Sequence, residues 1–344
     1  MKNKQNYSKS QKPLRTFSWS NSDQKTPSQL LVENTVTEWY EAKHRSSSAP
    51  EVNFINSIQI LYCPHCGSKK IVKNGLRKND GIQKYLCKDC KKSFNPLTNT
   101  IFDSRKIPIS EWFEYLLHLF EYHSISSSAY DNRNANSTGK YWLIKVFDVL
   151  KNIQDEVVLS GRIYIDETYF SKKKSEETVK DGKRLRGISS NKIGVATAIT
   201  EDLKSSVLIV TNTSKPSNKS TIESYRTHIQ EGSTIIHDGE RSHKILIDTL
   251  HLKSEEHPSE ETKGLPDKDN PMNPINTYHS LLKRFMKAHN GYNRSNLQDW
   301  MNLFWFITNG PKDRYDKVLL FLEMAISSPK RVKYRDVMTN NLTK

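Results

Sequence analysis

Hydrophobic and polar positions along the chain change period several times. From Ile109 to Tyr122 the apolar residues Trp112, Phe113, Leu116, Leu117, Leu119 and Phe120 recur at helical spacing. Ser110 is placed to cap that helix, with Glu111 and Glu114 in its first turn. A polar break at Ser124–Ser128 leads into a short segment, and Ser137–Leu150 resumes a helical stripe. Helix, short helix, break, helix fits a helix-turn-helix unit, and a plain three-helix linker reads the same way.

Beyond Gly161 the period shortens. Arg162–Phe170, Ile193–Ile199 and Val207–Thr211 are short runs of β-branched and aromatic residues and predict strands, as does Ser233–His237. Ser220–Gln230, Ser242–Leu252, Ile275–Ala288 and Leu297–Asn309 predict helices, and residues 253–270 predict an acidic loop. Strands, a helix, a further strand and more helices describe an α/β domain with a mixed sheet. Trp300, Phe304, Trp305 and Phe306 are expected as helical core.

Charge changes the picture. The 344 residues carry 53 Lys and Arg against 38 Asp and Glu, a net +15, which favours a polyanionic partner, nucleic acid first. No run approaches the roughly 18 apolar residues of a membrane span. No apolar stretch follows the basic start Met1-Lys-Asn-Lys-Gln, so neither a membrane nor an exported protein is expected. Residues 1–55 read as a basic, largely disordered arm in which only Gln29–Lys43 suits a helix. The remaining divisions are 56–100, 101–155 for the helix-turn-helix segment, 156–315 for the mixed-sheet domain, and 316–344 for a C-terminal helix and basic tail.

The only cysteines are Cys63, Cys66, Cys87 and Cys90. Two CxxC pairs twenty residues apart, without an export signal, predict a four-thiolate zinc ribbon over 56–100. Lys73–Gly75 and Asn79–Gly81 are the two candidate turns of its hairpin, and Tyr85 and Phe94 are expected as packing under the metal. Nine cations crowd this module, among them Lys69, Lys70, Lys73, Arg77 and Lys78, and a phosphate backbone would relieve their repulsion.

Asp166 lies inside the apolar run Ile163–Phe170, where an acid is costly unless paired or metal-bound. Glu167 must face the opposite side of the strand. Asp238, directly after the run 233–237, is the natural partner of Asp166, and two strand-end carboxylates side by side can hold divalent cations.

Three blocks, Ile165-Asp-Glu-Thr-Tyr-Phe170, His237-Asp-Gly-Glu-Arg-Ser-His243 and Ile275-Asn-Thr-Tyr-His-Ser-Leu-Leu-Lys-Arg284, resemble the catalytic blocks of bacterial DDE-type insertion-sequence transposases. The subgroup has an N-terminal zinc ribbon, a helix-turn-helix and an RNase H-like core. The resemblance runs from about Tyr62 to Asn309 and includes Phe94–Pro108. It implies that Asp166 and Asp238 are the first two catalytic acids, and that Asn276 stands where most such enzymes carry Glu. Lys283 then matches the basic residue seven positions later, about 10.5 Å further along one helix face. Asn276 leaves the site one negative charge short, as in some members of the subgroup.

The implied activity is Mg²⁺- or Mn²⁺-dependent DNA cleavage and strand transfer at two ions, without a covalent protein–DNA intermediate. The implied partners are double-stranded DNA, at the element's terminal inverted repeats and at the target, and further copies of the chain. The expected location is the bacterial cytoplasm, on the nucleoid. Lys140, Arg284 and Lys287 are further candidate DNA contacts, and Lys172–Lys174 with Lys180, Lys183, Arg184 and Arg186 form a basic loop. A non-catalytic zinc-ribbon DNA-binding regulator and a structure-specific nuclease are the alternatives.

Overall fold

The computed structural model describes residues 48–185, 187–211, 215–327, 331–335 and 337. The expected helix at Gln29–Lys43 lies outside them. Helix α1 (Ala49–Ser57) opens the described part, inside what the sequence suggests is a disordered arm. Its Ile55 is fully buried, and its Glu51 carboxylate is sunk into the protein.

A three-stranded antiparallel sheet follows: β1 (Ile71–Leu76), β2 (Gln83–Cys87) and β3 (Ser93–Phe94). Of the two candidate turns, Asn79–Gly81 closes the hairpin, with Arg77 N–H donating to Ile82 O at 2.9 Å. Lys73–Gly75 instead breaks the β1–β2 register as a bulge, with Gly75 at φ +69°.

Helices α2 (Ser110–Phe120), α3 (Ile125–Asp131) and α4 (Asn136–Leu150) come next. The α2 stripe Trp112, Tyr115, Leu116, Leu119 and Phe120 is buried, as its spacing demands. Ser110 does not cap α2. It lies inside the helix, and Glu51 of α1 takes over the role, accepting Ile109 N–H at 3.0 Å and Ser110 N–H at 3.4 Å. Ser124 caps α3 by accepting Ser127 N–H at 3.1 Å. Gly139 lets α4 press on α3, because a Cβ there would sit 2.8 Å from that of Ala129.

The large sheet is built from β4 (Arg162–Ser171), a small hairpin β5 (Val179–Lys180) and β6 (Lys183–Arg184) standing apart, then β7 (Lys192–Thr200) and β8 (Ser206–Val210). Helix α5 (Asn218–Tyr225), strand β9 (Thr234–His237), helix α6 (His243–Thr249) and strand β10 (Lys253–Glu256) complete it. The order is β10-β9-β4-β7-β8, with β4 antiparallel to β7 and parallel to β9. The mixed sheet is as expected, but β10 corrects the acidic-loop reading of residues 253–256, because Lys-Ser-Glu-Glu pairs in parallel with β9.

After a short helix α7 (Ser259–Thr262) come α8 (Asn273–Ala288), α9 (Leu297–Asn309) and α10 (Arg314–Ser327). Odd-numbered β4 residues Ile163 and Ile165 pack with Tyr225 of α5 and Leu246 of α6. Even-numbered Tyr164 and Phe170 face the opposite core of α8 and α9, which runs on without a break through α2 and α4. Trp300, Phe304 and Phe306 are buried in it and Trp305 is half-buried.

Gln154, just past α4, is clamped into the edge of the sheet. Its amide accepts Leu208 N–H at 2.8 Å and donates to Leu208 O at 3.2 Å, as a neighbouring strand would. It also donates to Asn302 Oδ1 of α9 at 2.7 Å, and Asn302 returns a bond to Lys151 O at 2.7 Å.

Candidate active site and metal centre

The four cysteine sulfurs converge. Cys63 and Cys90 Sγ are 3.7 Å apart, Cys66 and Cys87 Sγ 3.6 Å, and all four lie within 4.8 Å of one another. Ligands about 2.3 Å from a tetrahedral ion lie about 3.8 Å from each other, so the cluster fits zinc. Each CxxC loop turns back on itself, with Gly67 N–H donating to Cys63 O and Lys91 N–H to Cys87 O, and both residues at positive φ. The N–H of Cys90 donates to Cys87 Sγ and, as the largest influence, holds that thiol down at about 6. Phe94 is buried beneath the sulfurs and Tyr85 stacks on it, as expected, while His65 is exposed.

Asp166 and Asp238 come together through strand register. Tyr164 of β4 pairs with Ile236 of β9 in parallel, so two residues further on the two aspartates run in step. Asp166 leaves β4 on the face that carries Tyr164, and the Asp238 carboxylate, just past β9, also lies within 4.8 Å of ring nitrogens of His237 and His243. Burial first, then the charges of Glu167 and Asp238, push the Asp166 carboxyl up to about 7. Two acids with too little countercharge fit a divalent cation, and their hard oxygens suit Mg²⁺ or Mn²⁺. Two threonine hydroxyls on this face, Thr168 and Thr197, are buried without a hydrogen-bond partner among the described residues; Thr197 sits directly opposite Asp166 on β7.

Helix α8 crosses this face. Asn276, His279 and Lys283 share one side of it, because three and four residues make about one turn. Asn276 and Lys283 are exposed, whereas His279 is buried with Nδ1 3.5 Å from Asp166 Oδ2. Burial, reinforced by the charge of Lys283, presses the His279 imidazole down to about 3, so it is neutral. Its Nε2 has no partner among the described residues. His279 is not among the site residues predicted above, although its spacing from Asn276 and Lys283 puts it on their face.

Glu167 faces away from Asp166, as strand alternation requires, and anchors a second network behind the sheet. Gly239 N–H donates to His237 Nδ1 at 3.1 Å, which leaves His237 Nε2 to donate to Ser254 Oγ at 2.9 Å. His243 Nδ1 lies 3.3 Å from the same His237 nitrogen, so it donates, and its Nε2 lies 3.4 Å from Glu167 Oε1. Burial holds His237 neutral, down at about 4. Burial also opposes charge on His243, but the hydrogen bond and charge of Glu167 outweigh it, and its pKa is raised. Tyr225 O–H completes the network on Glu167 at 3.3 Å. Glu167, which follows Asp166, and His237, which precedes Asp238, are thus tied together through the His243 ring. This is a structural role for His237 and His243, whose ring nitrogens are already engaged; Glu240 only donates its N–H to Asp238 Oδ1, at 3.1 Å.

Among the candidate DNA contacts, Lys69, Lys70, Lys73 and Lys78 are exposed on the ribbon, and Arg77 pairs with Asp80 at 2.9 Å. Lys140 is exposed on α4, and Arg284 and Lys287 on α8. The described cations of the loop after β4 are exposed or half-buried, Arg184 pairing with Glu177 at 3.2 Å. No described helix is long and apolar enough to cross a membrane.

Residues 158–309 match the family model of the ISXO2-like transposase domain. The chain is 24% identical over 254 residues to an uncharacterized protein in transposable element ISH50 of Halobacterium salinarum, covering 71% of this chain and 84% of that protein. Among solved structures, a Mos1 transposase paired-end complex with the left transposon end is matched at 10% identity and TM-score 0.23, over 61% of this chain and 77% of that one. The Mos1 strand transfer complex is matched at 11% and 0.26, over 64% and 78%. The domain match and the transposable-element relative together support an insertion-sequence transposase.

Proposed function

We propose that the chain is a DDE-type transposase of a bacterial insertion sequence, which cleaves and rejoins DNA with divalent metal. The observation that carries this reading is that Asp166 and Asp238 each follow the paired stretch of two parallel strands by two residues, close enough for the Asp238 charge to act on Asp166, with His279 of the helix bearing Asn276 and Lys283 against Asp166. The sheet, three antiparallel strands followed by two parallel ones with the first strand central, is in keeping with the RNase H-like core that the sequence resemblance implies.

Asp166, Asp238 and the amide oxygen of Asn276 are the metal ligands. Divalent cations bound there would activate a water or a DNA 3′-hydroxyl and stabilise the leaving oxygen of an in-line displacement. Lys283 grips a phosphate beside the scissile bond. His279, neutral and against Asp166, holds that carboxylate in one orientation. The Glu167–His243 pair fixes the spacing of the two catalytic strands. The ribbon and helices α2–α4, as a helix-turn-helix, bind the terminal inverted repeats, and two chains act on two ends.

The test is nicking of a plasmid carrying the element's ends, in Mg²⁺ or Mn²⁺. Wild type should nick at the ends, and Asp166→Ala should lose at least about 10³-fold in rate. Equal activity in the two proteins would overturn the enzymatic reading and leave a zinc-stabilised DNA-binding protein.

A further inference from the structure

A cleft of about 530 Å³ separates α4 from the turn between α8 and α9. It falls within the roughly 300–1,000 Å³ of ordinary small-molecule sites. One wall is a single face of α4: Asn136, Lys140, Leu143 and Phe147 at helical spacing. The other carries His289, Tyr292, Asn293 and Trp300. Among the described residues, no acidic side chain lines it.

His289 is the unusual member. It is 4% exposed, yet neither ring nitrogen has a hydrogen-bond partner among the described residues. Its ring is held between Phe285, at 4.7 Å, and Trp300, at 4.5 Å, and burial keeps it neutral. A neutral imidazole offers one donor and one acceptor. Leaving both unused in a buried position is costly unless an incoming group meets them.

The asparagines complement it. Asn136 Oδ1 accepts from Ser126 Oγ at 3.3 Å and Asn293 Oδ1 from Ser295 N–H at 3.3 Å, so each keeps its NH₂ to donate. Leu143, Ile144 and Phe147 give the cleft an apolar wall, and on its other side the Arg294 guanidinium stacks on Tyr292 at 4.1 Å, while Trp300 is buried behind His289. An apolar wall, in-plane amide donors, a donor–acceptor imidazole and the cations Lys140 and Arg294 together match a nucleobase with its phosphate.

We propose that this cleft receives a single unstacked nucleobase of the bound DNA, a reading that rests on the chain being a DNA-binding transposase. His289 follows Asn276 by thirteen residues along and just past α8, about 20 Å at 1.5 Å each. That spans about six steps of a DNA strand at 3.4 Å each, so the captured base lies about six nucleotides from the reacting phosphate. Holding an extrahelical base there fixes the register of the strand against the catalytic helix.

The test compares the full-length protein on two labelled duplexes of one sequence, fully paired or carrying a central one-nucleotide bulge, by fluorescence anisotropy. The bulged duplex should bind about tenfold more tightly. His289→Phe, which keeps an aromatic ring and removes both nitrogens, and Asn293→Ala, in the turn between α8 and α9, should each bring that preference to within about twofold, with paired-duplex affinity unchanged. A preference that persists in both variants, or that never appears in wild type, would overturn the proposal. Displacement of the bulged duplex by deoxyadenosine monophosphate alone would overturn it in favour of a free-nucleotide site. Failure to bind either duplex would instead remove the underlying DNA-binding reading.

Discussion

Replacing Asp166 by Asn should stabilise the protein when divalent metal is absent and destroy its response when metal is added. The Asp166 carboxyl titrates at about 7 in the fold instead of 3.8, because burial and the neighbouring Glu167 and Asp238 charges disfavour its ionised form. An acid whose folded pKa is raised contributes nothing to pH dependence below its unfolded value. Its cost grows as pH climbs from about 4 and is complete above about 7. At about 1.36 kcal/mol per tenfold change in proton affinity, that cost has a ceiling of about 4 kcal/mol. A quarter of the side chain reaches solvent, at 24% exposure, which brings it to about 2–3 kcal/mol. Asn keeps the oxygen that accepts Glu167 N–H at 2.8 Å and removes the charge. Thermal melting at pH 8 without added divalent metal, zinc retained, should therefore place Asp166→Asn roughly 3–5 °C above wild type, and the two should coincide near pH 4. Magnesium at about a hundred times its dissociation constant should raise wild type by about 2.7 kcal/mol and leave the variant unmoved. A variant that melts at or below wild type at pH 8, or that gains equally from magnesium, would refute the claim that these two acids share a cation.

Removal of zinc by a chelator, or Cys66→Ser, should unfold the ribbon around its sulfurs and abolish DNA binding in a gel-shift assay while the large sheet melts as before, because Cys63, Cys87 and Phe94 form a buried cluster separate from the large core. Glu51→Ala should cost about 3–5 kcal/mol in urea denaturation, since it removes the carboxylate 3.0 Å from the Arg105 guanidinium and the acceptor of the Ile109 and Ser110 N–H groups at the start of α2; Glu51→Gln should cost less. His243→Phe and Glu167→Gln should each destabilise by about 3–5 kcal/mol at pH 6 and the double variant by less than their sum. As the His243 pKa is raised, the benefit of the pair is full below about 6.5 and fades as pH rises through its folded value, so the penalty of Glu167→Gln should shrink at alkaline pH.

Much of this arrangement was legible in the residues themselves. The two CxxC spacings announced the sulfur cluster, and strand alternation alone put Asp166 and Glu167 on opposite faces. Leu297–Asn309 was readable to the residue, because its core face is almost wholly apolar. What escaped depends on distant partners. Strand β10 is all polar at an edge, so it carries no alternation, and only β9 makes it a strand. Glu51 caps a helix 58 residues away, which no local capping rule foresees, and it hid helix α1 inside an apparently disordered arm. His279 and His243 look like ordinary polar residues until the sheet brings a carboxylate to each.

The clamp made by Gln154 has one more consequence. Because its amide is stitched into Leu208 and Asn302, the segment that follows α4 is welded to the outer edge of the large sheet and to α9. In the function proposed above, α2–α4 grip DNA and the large sheet carries the cutting site, so the offset between them sets which phosphate is reached. Here the offset is a fixed ruler, and its length is a property of side-chain packing. Lengthening the chain at residues 151–154 should therefore break the ruler and leave a protein that still grips DNA but cuts at the wrong phosphate.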